Sequence, residues 1–206
     1  MSNYEFTNNW FQGTTKPVWD AIFPQLNPRK LLEVGSFEGA ATTYIVETVG
    51  ALANVELHAI DTWIGGIEHM EQGLDMSLVE KRFLYNIELA RNSIDNRLDL
   101  HIHKGTSDFF LSKLFAMGLG EYFDFIYVDG SHQAPDVLTD AVLSFKLLRV
   151  GGVLAFDDYL WFEQLPYGQD PIRSPKPAID AFTMIFGRKL NYIHVGYQLY
   201  VTKTAN

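Results

Sequence analysis

Residues 31–47 read LLEVGSFEGAATTYIVE, and the change of rhythm inside this stretch decides the fold class. An apolar run from Lys30 to Val34 breaks at Gly35. Beyond Gly39 the buried-type positions recur with helical spacing, at Ala41, Tyr44, Ile45, Thr48 and Val49. A strand that passes into a helix through a glycine turn opens a crossover unit, and the alternation repeats along the chain. Further strands are expected at 55–61, 98–104, 123–129 and 152–156. Between them Val79, Phe83, Ile87 and Ala90 mark one helical stripe and Val137, Leu138, Ala141, Val142 and Phe145 another, with a further helix over 107–117. Short strands alternating with helices build a parallel sheet covered on both faces. The ending departs from this. After a helix over 177–186, the runs 190–195 and 198–202 are separated only by Gly196 and Tyr197, too short for a crossover, so they pair as an antiparallel hairpin. The expectation is an α/β fold: a seven-stranded, mostly parallel, doubly wound (Rossmann-like) sheet with a C-terminal antiparallel hairpin.

At 206 residues and 47% hydrophobic the chain has the size of one domain and the apolar content to bury a core. Residues 30–206 carry the alternating pattern. Residues 1–29 precede it as a segment with a lone helix at 17–23, whose Trp10, Phe11 and Trp19 are placed to pack over the core or the site. The absence of cysteine excludes a disulfide framework, a thiolate metal site and a cysteine nucleophile. A reducing cytoplasm suits such a chain. The opening residues lack a basic stretch leading into an apolar run, and no run of about eighteen apolar residues occurs, so a soluble, unexported protein is expected. The net charge is −9 and the 16 Lys and Arg are scattered, which argues against a nucleic-acid partner.

The turn between the first strand and helix narrows the cofactor. Gly35 and Gly39 let the backbone pass close beneath a ligand at the helix N-terminus. Their spacing is not the GxGxxG of a dinucleotide turn, and no GK[ST] of a phosphate loop follows. Glu33 and Glu38 flank the turn, while from Leu31 through Ile94 the only Lys or Arg are Lys81, Arg82 and Arg91. Carboxylates there repel a pyrophosphate and welcome an ammonium or sulfonium. Asp61, ending the second strand, either accepts hydrogen bonds from two ribose hydroxyls or caps a turn.

A second set of carboxylates ends later strands: Asp129 after the fourth, Asp157 and Asp158 after the fifth. Brought together they repel unless a proton or cation intervenes, and an all-oxygen set suits a hard cation such as Mg²⁺. The alternative is a turn residue before Gly130 and a pair of helix caps. His132, three residues beyond Asp129, is the nearest side chain able to take a proton near neutral pH, with Asp129 as the competing base and a backbone-bonded histidine as the plain alternative. His101 and His103 alternate along a strand and His58, His69 and His194 stand alone, so all five are expected to be structural. Two long connections, 62–74 and 159–176, have the length of lids or binding loops. The second carries Tyr159, Trp161, Phe162 and Tyr167, available for acceptor contact or for loop packing.

The runs EVGSFEG, AIDTW, FIYVDGSH and GGVLAFDDY resemble the class I S-adenosylmethionine-dependent methyltransferases. From about residue 30 to 203 the chain is similar to their small-molecule O-methyltransferase branch, which includes the macrocin and aminocoumarin sugar O-methyltransferases. The resemblance implies that Glu33, Gly35 and Gly39, with Ser36 of the same turn, line the methionine end of the cofactor and that Asp61 holds its ribose. It implies that Thr62 and Trp63 lie beside the adenosine, that Thr106 or Ser107 borders the adenine, and that Asp129 faces the cofactor as well as the metal. It also implies a divalent metal on Asp129, Asp157 and Asp158. The chain departs from the branch after Trp63, where Gly65 and Gly66 replace its usual Gly-Asp pair. The expected function is O-methylation of a small-molecule hydroxyl with S-adenosylmethionine as donor. The alternatives are a nicotinamide-dependent oxidoreductase, disfavoured by the glycine spacing, and a non-catalytic cofactor-binding protein. The acceptor and the oligomeric state, homo-oligomer included, stay open.

Overall fold

Strand and helix alternate as the residue pattern demands in the computed structural model, which describes residues 3–71 and 73–206. Two compact units follow one another, 1–104 and 105–206. The first carries α1 (Lys16–Leu26), β1 (Lys30–Val34), α2 (Ala40–Ile45), β2 (Val55–Asp61), α3 (Ile67–Glu71), α4 (Val79–Arg91) and β3 (Leu98–Lys104). The second carries α5 (Ser107–Ala116), β4 (Phe123–Val128), α6 (Ala134–Leu147), β5 (Leu148–Phe156), α7 (Pro175–Phe186), β6 (Leu190–Val195) and β7 (Leu199–Lys203). The strand order is β3-β2-β1-β4-β5-β7-β6. Pairing is parallel at β1–β2, β2–β3 and β4–β5, and antiparallel where β7 meets β5 and β6. This is the seven-stranded α/β sheet with a closing hairpin that the alternation implied.

In the first unit α4 lays its apolar stripe on β2: Val79, Phe83 and Ile87 pack with Ala59 and Trp63 in one buried cluster. Each such side chain contributes about 1.5–3 kcal/mol when fully buried. The lone N-terminal helix is longer than 17–23, because Pro17 sits where a helix start tolerates it and the helix runs on until Asn27 takes the left-handed conformation, φ 45°. Its buried Trp19 stacks on Phe23 at 4.7 Å and meets Phe11 edge-on at 5.2 Å. The 62–74 connection is not wholly irregular, since it contains α3.

In the second unit β5 begins four residues earlier than the 152–156 run. The ladder jumps from Phe123↔Leu148 to Phe125↔Val153, so residues 149–152 bulge and regular pairing starts at Val153. No linker separates α6 from β5. The helix-terminal carbonyls this leaves are met by the buried Lys203 ammonium, which donates to Phe145 O at 3.0 Å and Leu148 O at 2.8 Å and lies 4.4 Å from the Phe145 ring centroid.

Candidate cofactor turn and acidic site

The β1–α2 turn is built by glycine geometry and by Asp61. Gly35 and Gly39 have φ of 85° and 84°, and a Cβ on Gly39 would stand 3.0 Å from Phe83, so no other residue fits there without strain. Asp61 at the end of β2 accepts from the Ser36 and Phe37 N–H groups, both at 2.8 Å, and from Trp63 N–H at 2.6 Å. It is therefore a turn cap in this structure. An ionised carboxylate has about four acceptor positions, so three backbone bonds leave room for a ligand hydroxyl. Phe37 and Trp63 have positive φ, 46° and 51°, held by these bonds and by Trp63 Nε1–H donating to Phe37 O at 2.9 Å. The Trp63 indole is thereby buried against Phe83 at 4.9 Å, as a floor beneath the turn, while Thr62 Oγ1 accepts from Ile64 N–H.

Glu33 is wholly buried. Its Oε2 accepts from the Ser36 and Thr42 hydroxyls, and its Oε1 has no hydrogen-bond partner. Burial pushes this carboxyl up to about 7, against the two hydroxyls that favour its ionised form. Glu38 plays a different part from the one its position at the turn suggested. Its Oε1 is paired with Arg82 at 3.0 Å and accepts from Thr7 Oγ1, and its Oε2 accepts from Thr7 N–H. Buried Asn86 of α4 joins the same clamp, bonding to the Glu38 and Glu5 carbonyls and to Glu5 N–H. The charge argument against a pyrophosphate thus rests on Glu33, and the clamp on the N-terminal segment had no signal in the sequence beyond the arginine itself. His69 accepts from Gly66 N–H at 2.9 Å and lies among Phe37 and Trp10, at centroid distances of 5.6 and 6.3 Å.

In the second unit Asp129, Asp157 and Asp158 do converge. One carboxylate oxygen from each lies within 4.8 Å of the others. Their donors are now specific: Tyr127 OH to Asp129 at 3.1 Å, Gln198 Nε2 to Asp157, and Tyr197 OH to Asp158 at 3.0 Å. His132 Nε2 stands 2.9 Å from Asp158 Oδ2, and the imidazole packs on Trp161 at a centroid distance of 4.1 Å. Asp158 itself has φ of 50°. Asp129, His132, Asp157 and Asp158 line a cavity of about 10 Å³, with Val137, Phe156 and Ile179 on its apolar side and room for a single water-sized occupant. Burial and the facing Asp158 push the Tyr197 phenol far above its ordinary range, so it stays a donor. Tyr197 and Gln198 were missed as site residues. The only signal was their place in the two-residue hairpin link and the strand start after it, which the spacing explains as turn chemistry.

Of the other candidates, Thr106 is the extended residue before α5, and Ser107 opens that helix beside the buried Asp140. Burial pushes Asp140 up to about 7. On the 159–176 connection, Tyr159 is committed to α7 through Asp180 and Lys176, whereas Tyr167 is exposed.

A family model described as a methyltransferase domain matches residues 32–159. A curated protein of Dictyostelium discoideum, named "Probable caffeoyl-CoA O-methyltransferase 3", is 36% identical over 164 residues, which are 78% of this chain and 57% of that protein. The chain therefore spans little more than half the length of that relative. Among solved structures, an O-methyltransferase from Bacillus cereus in complex with S-adenosylhomocysteine (SAH) is similar with a TM-score of 0.62 at 18% identity, over 92% of this chain and 81% of that one. The MycE methyltransferase of the mycinamycin biosynthetic pathway, in complex with Mg, SAH and mycinamycin VI, gives a TM-score of 0.56 at 18% identity, over 98% of this chain and 51% of that one. At these identities the structures attest the fold.

Proposed function

The chain belongs to the methyltransferase domain family, and from that premise we propose that it transfers the methyl group of S-adenosylmethionine to a hydroxyl oxygen of a small molecule, with a divalent cation. The observation that carries the donor assignment is Glu33 Oε1, a buried carboxylate oxygen without a partner beside a glycine turn. Such an atom suits a ligand ammonium and repels a phosphate. Glu33, Gly35, Ser36 and Gly39 then form the methionine end, Asp61 offers its remaining acceptor position to the ribose, and Thr62, Trp63, Thr106 and Ser107 border the adenosine. Residues 30–206 act as the cofactor-binding domain and 1–29 as a segment packed on it.

The donor set of Asp129, Asp157 and Asp158 is all oxygen and fits a hard cation such as Mg²⁺. Bound there, the cation would orient the acceptor hydroxyl and make it more acidic. The chain's own residues do the rest. With Nε2–H donating to Asp158, the His132 lone pair sits on Nδ1, and Trp161 holds the ring against rotation; His132 takes the proton, with Asp129 as the competing base. As the acceptor oxygen attacks the methyl carbon, the carbon–sulfur bond breaks and its electron pair returns to sulfur, leaving S-adenosylhomocysteine. The acceptor is small, since the scattered basic residues offer no footprint for nucleic acid. Among the described residues no helix is long and apolar enough to cross a membrane. A cysteine-free chain suits the cytoplasm, where we place it.

The test is turnover of S-adenosylmethionine with a panel of phenolic and sugar hydroxyl acceptors. EDTA should abolish product and added Mg²⁺ restore it. Asp157→Asn should imitate the chelated enzyme, and His132→Ala should slow turnover by about 10²–10⁴-fold, the worth of a general base. Full activity of the metal-free chain would overturn the metal assignment.

A further inference from the structure

Three of the chain's six histidines lie on one face of the β2–β3 ladder. Parallel pairing sets Glu56 opposite Asp99, His58 opposite His101 and Ile60 opposite His103. Because strand side chains alternate, Glu56, His58, Asp99, His101 and His103 all point to the same side. His58, expected from its position to stand alone, does not. Its Nε2 is 3.1 Å from Glu56 Oε1, its Nδ1 is 3.0 Å from His103 Nε2, and its ring stacks on His101 at 4.3 Å and His103 at 5.1 Å.

We propose that Glu56, His58 and His101 form a binding site for a zinc-class divalent ion, with His103 as the group that orients His58. Each of the three offers a ligand atom within 4.8 Å of the other two. In a tetrahedral zinc site with ligand bonds of about 2.0–2.1 Å, neighbouring ligand atoms stand about 3.3 Å apart. The 3.1 Å between His58 Nε2 and Glu56 Oε1 is already close to that spacing. Two imidazoles and a carboxylate favour zinc, nickel or cobalt over magnesium, which prefers oxygen alone. His58 is buried, so a ligand bond at its Nε2 is shielded from water. With the ion on Nε2, the Nδ1–H donates to His103, which fixes the tautomer as the outer partner of a ligating histidine does. Asp99, 3.4 Å from His101 Nε2 and paired with Arg97, adds negative charge on the exposed side. The site is independent of the methyltransferase reading, and its effect would be to fasten β3 to β2.

The probe is the metal alone. The EDTA-stripped, dialysed full chain is titrated with Co²⁺ and then Zn²⁺ in excess Mg²⁺, which keeps the hard carboxylate cluster out of the readout. One equivalent of Co²⁺ should give the visible absorption of a tetrahedral nitrogen–oxygen site, Zn²⁺ should displace it with micromolar or tighter affinity, and the Tm should rise. His101 is exposed, so His101→Ala folds without penalty and should abolish the band. His103→Ala should weaken Zn²⁺ by roughly 10–100-fold. Absence of the band in the wild-type chain, or binding only in the millimolar range and unchanged by His101→Ala, would overturn the proposal.

Discussion

At the scale of single residues, Gly39 and Glu33 carry the β1–α2 turn. Gly39→Ala forces a side chain into φ of 84° with its Cβ 3.0 Å from Phe83, and the chain should lose about 1–3 kcal/mol, read as a lower urea midpoint with unchanged slope. Glu33 links the turn to pH. Its carboxyl is raised from 4.5 to about 7, so between those values the folded chain holds more protons than the unfolded one. The Glu33 contribution to stability is fully present below about pH 4.5 and is lost as pH rises through about 7; the buried Asp140, raised to about 7 from 3.8, adds a decline of the same sign. Glu33→Gln removes the Glu33 share, and the loss of stability from about pH 5 to about pH 8 should shrink by roughly 2–3 kcal/mol relative to wild type. An identical pH slope in the variant would mean that Glu33 ionises freely. A ligand ammonium at Oε1 should favour the carboxylate, so cofactor binding should release protons near neutral pH.

At the scale of elements, the strand ends were legible and their partners were not. Period-2 and period-3.6 patterns locate β1 to β4, the hairpin and the helices other than α3 because burial imposes those periods locally. The expected strand 152–156 missed the start of β5 at Leu148, because residues 149–152 bulge between the Leu148 and Val153 pairings to β4 and carry no regular strand pattern. The convergence of Asp129, Asp157 and Asp158 could be anticipated from their places after neighbouring strands. Tyr197 and Gln198 could not, since their bonds to Asp158 and Asp157 span 39 and 41 residues. The histidine ladder was hidden for the same reason: His58 and His101 meet only once the β2–β3 register is known. The 159–176 connection divides by residue, and Trp161 is the aromatic that packs on His132 of the acidic site. Trp161→Ala should raise the acceptor KM by up to about tenfold, the worth of one aromatic contact, while donor affinity stays nearly constant. Equal losses for both ligands would make Trp161 a support of the fold.

At the scale of the whole molecule, the sequence resemblance, the domain match over residues 32–159 and the strand order agree on a methyltransferase fold. The donor site we propose is keyed to a cation-bearing ligand, with the buried Glu33 Oε1 to receive it and the capped Asp61 beside it. The measurement that tests this most directly is calorimetric titration of the full chain with S-adenosylmethionine, S-adenosylhomocysteine, NAD and ATP, repeated on Asp61→Ala. The methyl donor and its product should bind far more tightly than NAD or ATP, and Asp61→Ala should weaken them by ~1–3 kcal/mol, the loss of a hydrogen bond to a charged group. Tight binding of NAD with no response to S-adenosylmethionine would contradict the assignment.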